Sequence, residues 1–168
     1  MKAKLIVEGK EFTIEIQDTE LQKLLTPQKK TGYERVDKSE EYWIENRNGN
    51  IARIRDIHDE FDATYYNIAN YYSDETIARN NARADALMRQ LRRFAAEHRK
   101  YEIEWTNKQV CKYYICVKHG TNEVVYNCAY GVQGFNTIYF DTEEAVKLAI
   151  KTFHDELVWY FTEYKDSL

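Results

Sequence analysis

The sequence predicts an α+β fold in which antiparallel β-hairpins pack against two long amphipathic helices. Short alternations of apolar and polar residues flank turn sequences at three places, which is typical of hairpins. Two longer stretches have apolar residues at helical spacing. Fourteen tyrosines with a single proline in 168 residues also suit strands and helices with amphipathic contact surfaces.

Residues 1–27 are expected to form an N-terminal hairpin followed by a short helix. The alternating segments 2–7 and 11–16 flank Glu8-Gly9-Lys10, which predicts two antiparallel strands and a tight turn. The segment 18–25 follows with a capping aspartate and three leucines, and a proline ends it.

The remainder is expected to form a linker over 28–41 and an α+β core over 42–168. The linker is polar and rich in turn formers, so we expect it to be exposed. The core reads as two similar halves, 42–100 and 101–168, and each half contains a hairpin, a short third strand and a helix. YYSDETIA in the first half parallels YFDTEEAV in the second. The pattern indicates two ββ-β-α repeat units, arising by duplication or by convergence on a common strand-to-helix junction.

The first long helix is predicted from Ser73, as its N-cap, to Lys100. Acidic residues follow the cap and basic residues occupy the end, as the helix dipole favours. Its apolar positions fall on one face and are expected to be buried. They are Ile77, Ala84, Leu87, Met88, Leu91, Phe94, Ala95 and His98.

The outer face of this helix is rich in arginine, although the chain has a formal net charge of −4. One interpretation is a solvated face whose arginines pair with acidic residues of the helix or of the rest of the fold. The other is an anion site for phosphates or for an acidic protein surface, because guanidinium groups make bidentate contacts. The candidate residues are Arg79, Arg83, Arg89, Arg92, Arg93, Arg99 and Lys100.

The second long helix is predicted to begin at Asp141, as its N-cap, and has three apolar residues outside its main stripe. These are Leu148, Val158 and Trp159. Either the helix lies between two packed layers, or the three residues form an exposed edge for association, for example in a homodimer. The main stripe consists of Val146, Ala149, Ile150, Phe153, Leu157, Tyr160, Phe161 and Tyr164.

Motifs for catalysis or cofactor binding are weak, so we predict a protein that is not an enzyme and holds no cofactor or metal. Neither phosphate-binding glycine pattern occurs. Cys111, Cys116, His119 and Cys128 have a spacing that invites a zinc site, but the strand-like residues among them favour reduced thiols without metal. A cysteine–histidine nucleophile pair remains open. The acidic loop at 56–62 lacks EF-hand spacing and is expected to be solvated.

Composition also restricts the location and the partners. No apolar run approaches the roughly 20 residues of a membrane span, and the N-terminus lacks a signal peptide's apolar stretch. The sequence therefore predicts a cytoplasmic protein with no membrane partner. An isoelectric point near 5.7 argues against a general binder of duplex DNA.

Four segments carry a resemblance to known proteins. They are GYERV (32–36), NNARADALMRQLRRFAAEHR (80–99), IYFDTEEAVKLAI (138–150) and DELVWYFTEYKDSL (155–168). They resemble a widespread group of small proteins encoded in prophages and integrative elements of Gram-positive bacteria. The resemblance carries over no functional residues, but it implies an accessory protein of a mobile element, and by analogy an inhibitor of host defence such as an anti-CRISPR protein.

Together these observations predict a non-enzymatic protein that inhibits a bacterial defence system by binding a protein or nucleoprotein complex. An acidic surface can occupy a positively charged nucleic-acid channel, or the arginine face can bind an anionic partner. Two alternatives remain. One is an oligomeric structural or assembly protein of a phage, and the other is a nucleic-acid or nucleotide-binding module that uses the arginine helix.

Overall fold

A computed structural model describes residues 2–7, 10–15 and 31–164, and it shows an α+β fold built from small antiparallel sheets and helices. The strands are β1 (Lys2–Val7), β2 (Lys10–Glu15), β3 (Glu41–Glu45), β4 (Ile51–Arg55), β5 (Lys112–Lys118), β6 (Glu123–Ala129) and β7 (Tyr139–Phe140). The helices are α1 (Glu60–Asn67), α2 (Glu75–Glu97), α3 (Glu143–Thr152) and α4 (His154–Trp159), and a π-helical turn (Tyr160–Tyr164) follows α4.

The predicted N-terminal hairpin is confirmed. β1 and β2 pair antiparallel, with a register that runs from Lys2 opposite Glu15 to Val7 opposite Lys10. The helix predicted over 18–25 and the first residues of the predicted linker lie outside the described residues.

The strand pairing is similar in the two predicted halves of the core. In the second half, β5 lies between β6 and β7, and Tyr114 is opposite Tyr139. In the first half, β3 pairs with β4 and also forms an antiparallel bridge between Trp43 and Tyr72. The third segment of each half therefore pairs with the first strand of the preceding hairpin.

The third strand predicted in the first half is reduced to that single bridge. Ala69 has a φ of +56°, so the backbone cannot continue as a strand there. Instead, the Asn70 side chain accepts from the N–H of Glu45 and donates to its carbonyl, both at 2.8 Å. A side-chain amide thus replaces a main-chain pairing.

Helix α1 begins within the acidic segment 56–62, which the sequence predicts to be a solvated loop. Its N-cap is Asp59, whose side chain accepts from the N–H of Asp62 at 2.9 Å, while Asp62 accepts in return from the N–H of Asp59. This reciprocal capping box starts a helix whose apolar periodicity is weak.

Helix α2 confirms the prediction of a long amphipathic helix, but its cap lies one residue later than expected. Asp74 accepts from the N–H of Ile77 at 3.0 Å, whereas the Ser73 hydroxyl donates to Glu34 at 3.1 Å. The predicted apolar face is buried or half-buried along its whole length. His98 ends it, with Nδ1 2.9 Å from the carbonyl of Phe94.

The second long helix is also capped one residue later, and it is interrupted. Thr142 accepts from the N–H of Ala145 at 3.2 Å, so the predicted cap Asp141 is free for another role. The chain leaves helical geometry at Phe153, where φ is −109° and ψ is 20°, and this separates α3 from α4. The prediction of one continuous helix is therefore wrong, although its apolar stripe still faces the core.

The main hydrophobic core lies between α2, α3, α4 and the sheet of the second half. It is centred on Val146 and Ala149, which are fully buried. A smaller cluster in the first half consists of Tyr42, Ile44 and Tyr71. The rings of Tyr42 and Tyr71 are stacked with centroids 3.9 Å apart.

The segment 31–40 is irregular and mostly exposed, but it is attached to the core rather than loose. Gly32 is buried with a φ of +85°, and a Cβ there would collide with the Ile77 side chain. Glu34 accepts hydrogen bonds from Thr31, Gly32 and Ser73. The exposed linker of the sequence prediction therefore docks on the start of α2.

Candidate partner-binding face

Most of the basic residues predicted as an anion site are neutralised within the fold. Four of the seven have a carboxylate partner within 4 Å, so the pairing interpretation holds at these positions. The outer face of α2 is consequently not a continuous cationic strip. The pairs are Arg79–Glu75 (2.6 Å), Arg83–Glu156 (2.8 Å), Arg89–Glu45 (3.1 Å) and Arg93–Glu97 (3.9 Å).

Arg92, Arg99 and Lys100 differ from these four, because none has a carboxylate within ion-pair distance among the residues that the structure describes. Arg92 donates from Nη2 to the side-chain oxygen of Asn136 at 2.7 Å. The guanidinium of Arg99 and the ammonium of Lys100 are exposed. The unpaired cationic residues are thus concentrated at the C-terminal end of α2 and just beyond it.

Arg92 and Arg99 line a groove of about 420 Å³ beside this helix end. Arg92 lies in the C-terminal part of α2, and Arg99 follows the end of the helix at Glu97. Trp105, Tyr139 and Gln133 also line it. Arginine, aromatic and amide residues therefore border one groove.

The wall of the groove is held by Trp105 and its neighbours. The ring of Trp105 meets that of Tyr139 edge to face, with centroids 4.8 Å apart. Nζ of Lys112 lies 5.7 Å from the Trp105 ring centre. Trp105 is half-buried, so part of its surface remains available.

Lys112 organises the two loops that border the groove. Its side chain is 1 % exposed, and Nζ donates to the carbonyls of Asn107 (2.5 Å), Val110 (2.8 Å) and Tyr130 (3.2 Å). All three ammonium protons are used, so the buried charge is satisfied. Asp141 adds a second anchor by accepting from the N–H groups of Lys100 and Tyr101, both at 2.7 Å.

The loop 130–137 next to the groove exposes apolar side chains. Phe135 is fully exposed, and Val132 is 79 % exposed. The loop is nevertheless fixed, because the N–H of Gly134 donates to the Tyr139 hydroxyl at 2.6 Å and Arg92 binds Asn136. An ordered loop that presents an apolar tip is typical of a contact surface. We call Arg92, Arg99, Trp105 and the loop 130–137 the arginine–aromatic face.

The three residues predicted as an apolar interface do not form one edge. Leu148 is 44 % exposed, Val158 is half-buried and Trp159 is 7 % exposed. The Trp159 ring is covered by Arg83, whose Cζ lies 3.8 Å from the ring centre. Burial of Trp159 fits the alternative in which the helix is packed between layers.

The prediction of three reduced cysteines is wrong. Cys111 and Cys128 form a disulfide, with Cα atoms 5.5 Å apart, because β5 and β6 pair in a register that brings the two residues together. Cys116 is a free thiol, and burial raises its pKa. In the described parts of the chain, no three or more His, Cys, Asp or Glu side chains are grouped to hold a metal ion.

The acidic loop at 56–62 is not solvated throughout, contrary to the prediction. Asp56 and Asp62 are 0 % and 2 % exposed. Asp56 accepts from the Tyr71 hydroxyl at 2.8 Å, and Asp62 accepts from the Tyr42 hydroxyl at 2.8 Å. Burial opposes the charge of Asp62, but the hydrogen bonds from Tyr42 and from backbone N–H groups outweigh it and lower its pKa. Asp56 and Asp62 are therefore structural residues whose buried carboxylates have hydrogen-bond donors.

Sequence reasoning did not select Trp105, Lys112 or Phe135. Trp105 is isolated in a polar segment, and Phe135 follows a glycine in a glycine-containing loop. A large apolar residue in such a loop was the available signal, because loops normally bury or avoid such side chains. Lys112 is the first residue of β5, and a lysine at a strand end gives no signal of burial.

Comparison of the chain with protein-family models, with characterised proteins and with solved structures gives no match. In the described residues, every helix is too short or too polar to cross a membrane.

Proposed function

We propose that this chain is a non-enzymatic binding protein of a mobile element that inhibits a bacterial defence complex, of the anti-CRISPR type, by contacting it through the arginine–aromatic face. The observation that carries the proposal is the fully exposed Phe135 on a fixed loop beside Arg92 and Arg99. Arginine and aromatic residues are enriched among those that dominate binding energy in protein interfaces.

Preorganisation of the face supports this function. The loops are held by Lys112 and Asp141, so little conformational entropy remains to be lost on binding. The acidic character of the rest of the molecule suits a target with a positively charged nucleic-acid channel. The resemblance to small proteins of prophages and integrative elements supplies the biological context.

The alternative of an oligomeric assembly protein receives less support. Of the three residues predicted to mediate association, Trp159 is buried and covered by Arg83. Leu148 alone is a small exposed apolar area, and one exposed leucine is ordinary for a protein surface.

Phage survival in bacterial strains with defined defence systems tests the proposal. The wild-type protein should protect phage in at least one such strain. Phe135→Ala and the double variant Arg92→Ala/Arg99→Ala should reduce protection by about tenfold or more, because each removes a contact worth about 1.4 kcal/mol or more.

Arg93→Ala is the matched control, because Arg93 lies on the same helix outside the groove. It should protect like the wild type. Protection that is equal in all variants would remove the face from the mechanism. The absence of protection by the wild type in every strain would contradict the function itself.

A further inference from the structure

The groove that contains Arg92 and Arg99 adjoins a second one. The second groove, of about 520 Å³, shares Thr137 and Tyr139 with the first. Its other walls include the rings of Tyr114 and Tyr130. The two grooves together are lined by most residues of the loop 130–137.

Cationic groups line the first groove, and aromatic groups line both. Arg92 and Arg99 lie in the first groove with Trp105. In the second, the Lys108 side chain runs beside Gly131, with its carbons 3.5–3.7 Å from the position that a Cβ on Gly131 would take. The Lys108 side chain therefore packs on the main chain of the loop at Gly131.

We propose that the two grooves bind a stretch of single-stranded nucleic acid. This inference rests on the proposed function, in which the bound strand is the exposed nucleic acid of the nucleoprotein target. Arg92 and Arg99 contact its phosphates, and Trp105 and Tyr130 contact its bases. Proteins commonly bind single-stranded nucleic acid in this way. A positively charged groove follows the backbone, and aromatic rings stack on the bases.

Charge distribution favours a single strand over a duplex. The chain is acidic overall, and four of the arginines on α2 are already paired with carboxylates. A broad basic surface that could follow a duplex backbone is therefore missing from the described part of α2. Two cations in a groove with aromatic walls match a few nucleotides.

Fluorescence anisotropy with labelled oligo-dT and oligo-rU of about 12 nucleotides tests the proposal. The wild type should bind at low salt, and its affinity should fall as salt rises. Arg92→Ala/Arg99→Ala should weaken binding by about tenfold or more and reduce the slope of log K against log salt by about 1.4, since each phosphate contact to a single strand contributes about 0.7. Arg93→Ala should leave both quantities unchanged.

Three results would overturn the inference. The first is the absence of saturable binding to either oligonucleotide. The second is equal binding by the double variant and Arg93→Ala. The third is competition by a polyglutamate peptide at equal charge concentration, which would indicate an acidic protein segment as the occupant. If the double variant loses phage protection while the wild type binds no oligonucleotide, the proposed function stands and the strand proposal fails.

Discussion

Cζ of Arg83 lies 3.8 Å from the centre of the Trp159 ring, while the same guanidinium donates to both carboxylate oxygens of Glu156 at 2.8 and 3.0 Å. The sequence suggested Arg83 as an anion contact and Trp159 as an interface residue. The structure pairs these two candidates with each other. Together with Glu156 they join α2 to α4.

Removal of this contact should destabilise the protein moderately. We expect Arg83→Ala to lower the free energy of unfolding by about 1 kcal/mol, because the ion pair is almost half exposed and the cation–π contact adds a similar small amount. Urea unfolding measures the effect. Arg93→Ala, which loses a more exposed pair at 3.9 Å, should change stability by less than about 0.5 kcal/mol. Equal changes in the free energy of unfolding for the two variants would show that the Arg83–Trp159 contact adds no stability beyond that of an exposed ion pair.

The buried aspartates of the first half should depend on their tyrosine partners. Tyr42→Phe removes the hydroxyl that donates to Asp62 and leaves a buried carboxylate with fewer donors. We expect a loss of about 2 kcal/mol in the free energy of unfolding. Tyr66→Phe is the control, since Tyr66 is 42 % exposed, and it should be within about 0.5 kcal/mol of the wild type. A neutral Tyr42→Phe would contradict the assigned role of the hydrogen bond.

Local patterns explain which parts of the fold were predictable. The hairpins and the buried face of α2 follow from alternation and from helical spacing, which neighbouring residues determine. The burial of Asp56 was not predictable in this way, because it depends on Tyr71, which is 15 residues away and reaches it across the fold. The Asp59 capping box likewise starts a helix that has little apolar periodicity.

The difference between local patterns and long-range contacts also explains which parts of the candidate site were predictable. Periodicity placed seven basic residues at the helix surface, but partners from α4 and β3 decided which of them stay free. Arg83 and Arg89 are paired with Glu156 and Glu45, which are distant in sequence. Trp105 joins Arg99 in one groove because the irregular segment after α2 folds back over the sheet. The spacing of residues in the sequence does not predict that this segment folds back over the sheet.

The pH dependence of stability should show the contribution of Glu34. Hydrogen bonds from the main-chain N–H and the hydroxyl of Thr31 lower the pKa of Glu34 to about 2, against about 4.3 for a free glutamate. A carboxyl group with a lowered folded-state pKa stabilises the protein above its unfolded pKa, and this stabilisation disappears as the pH falls through the folded value.

Glu34→Gln should therefore be less stable than the wild type near neutral pH, and the difference should shrink between about pH 4 and pH 2. Urea midpoints of both proteins across this range measure it. Glu97→Gln is the control, because Glu97 is exposed and its pair with Arg93 is long, and its difference from the wild type should stay small. A Glu34→Gln effect that does not vary with pH would contradict the assignment.

Thiol titration should distinguish the disulfide from three free cysteines. In denaturant without reductant, we expect one reactive thiol per chain, Cys116, and three after reduction. Reduction should also lower the free energy of unfolding by about 3 kcal/mol, because the bond between Cys111 and Cys128 closes a loop with a sequence separation of 17. Protein prepared under oxidising conditions should be used. Three reactive thiols without reductant would show that the bond does not form.

Lys112 should be required for the shape of the arginine–aromatic face although it is not part of its surface. Lys112→Met keeps the length of the side chain but leaves the buried carbonyls of Asn107, Val110 and Tyr130 without their donor. We expect a loss of about 3 kcal/mol in the free energy of unfolding and faster hydrogen exchange in the segment 101–111. Urea unfolding and exchange followed by mass spectrometry measure the two effects. Lys118→Met, at the exposed end of β5, should change neither. If exchange rises uniformly over the whole chain, Lys112 stabilises the fold in general, and its specific role in holding these loops is refuted.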